Sequence, residues 1–222
     1  VSDSSSLFDT FRVHKFKKGQ LLIFQGEVPR YGYALKSGII KEYDISKQGN
    51  EQTTWLIGRL EVFPLPWLTG VVTTASYYYE AVSDCELYVI EQTVFLELIK
   101  TDHTFLLREL NRQAEKEIYQ TRRIAAILNI KAQDKIIHTF HYLVESYGQF
   151  HGNNLAQINL PLTHQDIANL TGMTRETVSK EIGILKSEGL LLGTDSKSIY
   201  AIDLSKLNEQ LSIPLSMLDS SR

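Results

Sequence analysis

Four polar residues sit close together in one stretch of the chain, Arg175, Glu176, Ser179 and Lys180. Their types suit the reading of DNA base edges. An arginine or lysine pairs with guanine O6 and N7, a glutamate accepts from cytosine N4, and a serine hydroxyl serves either a base or a phosphate. Such readers work only if one rigid face presents them together.

The sequence around them supplies that face. Thr163 is a good helix N-cap, and Asp166 three residues on completes a capping-box pattern. Ile167 and Leu170 are apolar at helical spacing, and Ala168 is small enough for a second helix to cross close by. Gly172 marks a sharp turn that needs positive φ. Thr174 caps the next helix. Val178, Ile182 and Leu185 then recur at i, i+4 and i+7, one face of a helix turning about 100° per residue. Glu176, Ser179, Lys180 and Gly183 fall opposite that stripe, with Arg175 on its shoulder. Thr163, His164, Gln165 and Thr174 lie at helix starts, where backbone phosphates bind. The plainer reading is a helical hairpin with a solvated outer face. The full pattern is more specific and predicts a helix-turn-helix that binds DNA.

Bulk composition sets the frame. The 222 residues are 43% hydrophobic and 22% charged, ordinary for a globular chain long enough for two domains. No apolar run approaches the roughly 18–20 residues of a membrane span, and the first residues show no signal-peptide pattern. A cytoplasmic protein with no membrane partner is expected. Charge does not favour DNA. The net formal charge is −3, and from Lys131 onward eight Lys/Arg face ten Asp/Glu. This balance supports an alternative, a small-molecule-binding module whose winged domain contacts protein rather than DNA. No Ser-His-Asp set, metal cluster or phosphate loop is placed by motif, so the chain is not read as an enzyme.

The expected architecture is α+β, in three parts. Residues 1–101 carry short strands punctuated by glycines, with a hairpin at Gln48-Gly49-Asn50 and a break at Ser83-Asp84. This reads as a double-stranded β-roll of jelly-roll type. Residues 102–130 form one long helix free of Gly and Pro. Leu107, Leu110, Ala114, Glu117, Thr121, Ile124 and Leu128, with Leu106, Ile118 and Ala125 beside them, trace a coiled-coil seam for dimerisation. Arg122 and Arg123 are expected to pair with Glu115 or Glu117. Residues 131–222 form a winged helix-turn-helix domain: a helix over 131–147 with Gly148 as its C-cap, a short strand over 152–160, the helix-turn-helix, and a hairpin turning near 195–197. Lys197 at the wing tip is a candidate phosphate contact. His138 and His141 are three apart but no third ligand is placed, so no metal site is assigned.

The segment TRETVSKEIGILKSEGLL resembles the recognition-helix signature of the Crp–Fnr superfamily of bacterial transcription regulators. KKGQLLIFQGEVPRYGYALKSGIIKEY resembles the opening strands of that family's sensor domain. The resemblance implies a homodimer through the long helix, double-stranded DNA with an inverted repeat as target, RNA polymerase as a partner, and control by a small effector. It implies Arg175 and Glu176 as base readers. Lys180 stands where many members carry arginine.

The sensor segment departs from the cyclic-nucleotide binders of the family. There a Gly-Glu pair takes the ribose and a following arginine takes the cyclic phosphate. Here the cassette reads EVFPLPWLTG, Pro64 and Leu65 stand at the Gly-Glu positions, and the arginine position falls near Ala75. No Lys or Arg lies between Arg59 and Lys100. An effector other than cyclic AMP or cyclic GMP is therefore expected. Phe63, Leu65, Trp67, Leu68, Tyr77, Tyr78 and Tyr79 are the candidate lining of an apolar effector pocket, unless these rings only fill the core. No cofactor is expected. Iron–sulfur sensing needs several cysteines and Cys85 is alone; for haem, His14, His103 and Cys85 sit in no recognisable motif.

Overall fold

The computed structural model describes residues 7–128, 131–152, 154–192 and 200–211. The chain divides into two compact units, residues 1–116 and 117–222, so the division falls inside the long helix rather than at its ends.

The first unit opens with a 3-10 turn at Phe8–Thr10, followed by strands β1 (Val13–Phe16), β2 (Leu21–Ile23), β3 (Gly32–Ser37), β4 (Ile40–Ile45), β5 (Glu51–Ile57) and β6 (Val62–Phe63). A one-turn helix α1 (Leu65–Leu68), strands β7 (Tyr78–Ala81) and β8 (Cys85–Ile90), and helix α2 (Gln92–Thr101) follow. The strands form two antiparallel four-stranded sheets, β1-β8-β3-β6 and β2-β7-β4-β5. Their order interleaves along the chain, which is the double-stranded roll expected from the glycine punctuation. The predicted hairpin joins β4 to β5: Ser46 N–H donates to Asn50 O at 2.9 Å, and Gly49 takes a φ of 82° that favours glycine. Inside the roll, Phe63 of one sheet stacks on Tyr79 of the other at 5.2 Å. A second cluster, including Phe8, Trp67, Leu68, Tyr88, Phe95 and Phe105, packs the roll against α2 and the start of the long helix.

That long helix, α3 (His103–Leu128), runs without a break. Its first half is fastened to the roll by charge. Glu42, 7% exposed, accepts from Tyr79 Oη at 3.2 Å and Thr54 Oγ1 at 2.8 Å, with Lys116 Nζ at 3.7 Å. Lys116 also lies 5.1 Å above the Trp55 ring, whose Nε1 donates to Glu61 at 3.0 Å. Arg112 donates to Glu109 at 3.2 Å and to the Leu60 carbonyl. Burial outweighs the neighbouring Trp55, Lys116 and Arg112 and holds the Glu61 carboxyl above its ordinary value.

The second unit contains α4 (Ala132–Tyr147), β9 (Gly148–His151), β10 (Leu155–Ile158), α5 (His164–Thr171), α6 (Arg175–Ser187), β11 (Leu191–Leu192), β12 (Tyr200–Asp203) and α7 (Leu204–Gln210). Its sheet has the order β11-β12-β10-β9, all antiparallel. Gly148 ends α4, but with a φ of −71° and ψ of 135° it is extended, not left-handed. The helix therefore runs straight into β9, a strand the sequence reading did not separate. A Cβ at Gly148 would collide with the Val144 carbonyl, so close approach, not positive φ, favours glycine there.

Arg122 and Arg123 find partners outside their own helix. Arg122 Nη1 meets both Glu145 oxygens at 3.3 and 3.1 Å, and Glu145 Oε1 is also 3.2 Å from His141 Nε2. Arg123 donates to the Leu170 carbonyl at 2.9 Å. These contacts tie the second half of α3 to α4 and α5.

Candidate nucleic-acid interface

Local chemistry builds the helix-turn-helix. Thr163 Oγ1 accepts from Asp166 N–H at 3.2 Å, while Thr163 N–H donates back to Asp166 Oδ2 at 2.7 Å, so the capping box is complete. The Thr163 hydroxyl also donates to Asp166 at 2.7 Å. Its proton is engaged there, which makes Thr163 the cap of α5 before it is a phosphate donor. Gly172 ends α5 at φ 66° and ψ 25°, and its N–H donates to Ala168 O. Thr174 caps α6 by accepting from Thr177 N–H at 3.2 Å.

Helix α6 then divides cleanly by face. Val178, Ile182 and Leu185 are buried at 0–1% exposure. Arg175, Glu176, Ser179, Lys180, Gly183 and Lys186 are exposed. The four predicted base readers thus share the outward side of one helix, and a Cβ at Gly183 would meet nothing within 4 Å, so the face is low and open there. At the far end Lys206 Nζ donates to the Glu188 carbonyl at 2.7 Å, satisfying one of the last free carbonyls of α6.

The residues offered for the DNA backbone are distributed differently. Gln165 is exposed and donates to Asn169 at 2.8 Å. His164, half-buried, turns toward α6, with Nδ1 2.7 Å from Ser179 Oγ. Burial, and after it the charges of Lys186 and Arg175, hold its imidazole below the ordinary value. Thr174 remains at the α6 N-terminus, where backbone N–H groups point outward. Lys197 lies outside the described residues. Sequence reasoning missed two contacts in this region: the approach of His164 to Ser179, and the hold of Arg123 on the last turn of α5. Neither carries a local signal, because each joins residues brought together only by folding.

In the first unit the seven candidate pocket residues do not share one surface. Phe63 and Tyr79 stack within the roll, 3% and 1% exposed. Trp67 and Leu68 belong to the other cluster, with Leu65 packed against it. Tyr78 stacks on Tyr43 at 5.1 Å on the opposite face of its strand from Tyr79, and Tyr77 is half-buried just before the strand. Ala75, at the arginine position, is 2% exposed and locked to the β2–β3 loop through Glu27 O and Gly26 N, each at 2.8 Å. The charge that the roll does bury here is negative, Glu42. Among the described residues no group of three or more His, Cys, Asp or Glu is arranged to hold a metal. No described helix is long and apolar enough to cross a membrane.

Two family models match the chain: a cyclic nucleotide-binding domain over residues 13–102 and a Crp-like helix-turn-helix domain over residues 122–210. The chain is 30% identical over 203 residues to the fumarate and nitrate reduction regulatory protein of Vibrio cholerae, covering 89% of this chain and 78% of that one. It is 27% identical over 209 residues to the transcriptional activator protein Anr of Pseudomonas aeruginosa, covering 93% and 84%. Among solved structures, FixK2 of Bradyrhizobium japonicum shares the fold with a TM-score of 0.78 at 16% identity, over 92% of this chain and 98% of that one. A CRP-family regulator of Thermus thermophilus does so at 0.72 and 21% identity, over 91% and 98%.

Proposed function

The chain belongs to the Crp–Fnr family of DNA-binding transcription regulators, and we propose that it works as a homodimer that reads an inverted-repeat DNA site and answers to an effector that is not a cyclic nucleotide. The observation that carries the DNA reading is the face of α6: Arg175, Glu176, Ser179 and Lys180 exposed together, opposite a buried stripe. Arg175 and Lys180 suit guanine and Glu176 suits cytosine. The competing reading, a winged domain that contacts protein, has only the acidic balance behind it.

The dimer reading rests on α3. Leu107, Leu110, Ala114, Ile118, Thr121, Ala125 and Leu128 follow a three-and-four spacing along the helix and are all exposed, Leu110 at 61% and Leu128 at 77%. A second copy of the same stripe would take them out of water. Two α6 helices related by a two-fold axis would then enter major grooves about one duplex turn apart.

The effector reading rests on charge. The side chains of Pro64, Leu65 and Ala75 offer neither a ribose acceptor nor a phosphate partner. Cys85, the one cysteine of these residues, is buried and donates to the Ile39 carbonyl at 3.3 Å, with its thiol pushed up by burial, so it is a poor thiolate ligand. Haem and an iron–sulfur cluster held by these residues alone are therefore left out of the proposal. Such a regulator works where the DNA is, in the cytoplasm. A salt titration of binding to a palindromic duplex tests the DNA reading: affinity should fall linearly on a double-logarithmic plot, with sequence preference kept at each salt.

A further inference from the structure

Ser179 is exposed on the outward face of α6, yet its hydroxyl is not free to rotate at will, because Oγ lies 2.7 Å from His164 Nδ1 on α5. The two residues are fifteen apart in sequence and meet only because Gly172 turns the second helix back across the first. A serine hydroxyl holds one proton and two lone pairs, and its bases of choice depend on where that proton points. When Oγ–H donates to Nδ1, only lone pairs face outward, and they accept from adenine N6 or cytosine N4. When Nδ1–H donates to Oγ, the hydroxyl keeps its proton and one lone pair and still serves either class. A serine without such a neighbour serves either class, which is the reason serine alone reads sequence weakly.

We propose that His164 is a specificity-determining residue of the DNA interface that acts through Ser179: by taking the hydroxyl proton on Nδ1, it leaves only lone pairs facing outward and converts an ambiguous reader into one that selects bases with an amino group. The inference rests on the reading that the outward face of α6 lies against base edges. His164 is then a positioning residue. Its removal should alter preference at one base pair, while the loss of a phosphate contact would weaken every sequence alike.

The test is a selection from a duplex library randomised across both half-sites, performed with the whole protein at one fixed salt. Wild type, Ser179→Ala, His164→Ala and His164→Asn are compared, with thermal melting of each. Ser179→Ala should flatten the preference at a single base pair per half-site. His164→Ala should flatten the same pair, from roughly fivefold or more to near parity, with the others unchanged. His164→Asn, whose side-chain amide can reach the place of Nδ1, should keep a marked preference there. If Ser179→Ala flattens a pair that His164→Ala leaves intact, the role of His164 is overturned while the groove reading stands. A uniform loss with His164→Ala makes it a phosphate contact and also overturns the proposal. If Ser179→Ala alters no position, the groove reading of Ser179 fails and takes the proposal with it. Should His164→Ala fail to melt cooperatively, His164→Asn and His164→Gln carry the comparison: at unchanged melting, Asn keeping the preference while Gln, whose amide reaches a different place, loses it would match the proposal, and both losing it or both keeping it would contradict it.

Discussion

Arg123 of α3 donates to the Leu170 carbonyl at 2.9 Å, in the last turn of the first helix of the helix-turn-helix. A helix leaves its final carbonyls without internal partners, and a cation there also meets the negative end of the helix dipole. The second half of the long helix is thus bonded directly to the element that carries α6. Its other arginine, Arg122, holds α4 through Glu145.

Arg123→Met should therefore leave Leu170 O without this donor and destabilise the second unit by about 1–3 kcal/mol. Thermal or denaturant unfolding of the whole protein measures it, and Arg123→Lys, which keeps a cation but not the fork, should fall between. Unchanged unfolding in Arg123→Met would show that the contact contributes nothing.

Base reading predicts a different signature. Glu176→Ala should cost about 1–3 kcal/mol and relax preference at one base pair per half-site. Lys180→Arg should do the reverse and sharpen a guanine preference, because the guanidinium fork bonds both O6 and N7 where an ammonium offers one point charge. Selection on randomised half-sites reads both, and a uniform change across sequences would speak against direct readout.

The helix-turn-helix was legible because its rules are local. Thr163 with Asp166, Gly172, Thr174 and the Val178–Ile182–Leu185 stripe each act within a few residues, and each appears in the structure in the role its position implied. The long helix was legible too, as a run without Gly or Pro, and the apolar residues expected along it, Leu107, Leu110, Ile124 and Leu128, are exposed in the structure. What stayed hidden is long-range. Alternation could separate Tyr78 from Tyr79 but could not say that Trp67 and Leu68 join a cluster apart from Phe63. No spacing rule links Glu42 to Lys116, or His164 to Ser179.

Dimerisation through α3 predicts that Leu110→Asp shifts the protein toward monomer, since the exposed leucine would become a charge facing its symmetry mate. Sedimentation at several protein concentrations gives the state. Affinity for a full inverted repeat should drop with it, while affinity for an isolated half-site changes little. A variant that stays dimeric would move the interface elsewhere.

The buried charges of the roll predict a pH signature. Burial raises the Glu61 carboxyl, so the folded protein holds that proton to a higher pH than the unfolded chain. The contribution of Glu61 to stability is then fully present below its unfolded value and is lost as pH rises through the folded one. Glu61→Gln, which can still accept from Trp55 Nε1, should flatten stability against pH in the window just above the ordinary glutamate value. An unchanged profile would place the titration elsewhere. Lys116→Met should cost about 1–3 kcal/mol by taking a counter-ion from Glu42.

The absent phosphate cation predicts that cyclic AMP and cyclic GMP give no heat in calorimetry and no shift in melting temperature. Tight binding of either would mean that the roll opens an arrangement different from the one in which Ala75 is closed against Glu27 and Gly26.

One experiment reaches the central claim most directly: the sequences that the whole protein selects from a randomised duplex library, compared between wild type and Glu176→Ala. The account predicts an inverted repeat with half-site centres about one helical turn apart, and loss of preference at one pair per half-site in the variant. Selection of no repeat, or a variant whose preferences match wild type at every position, would contradict it.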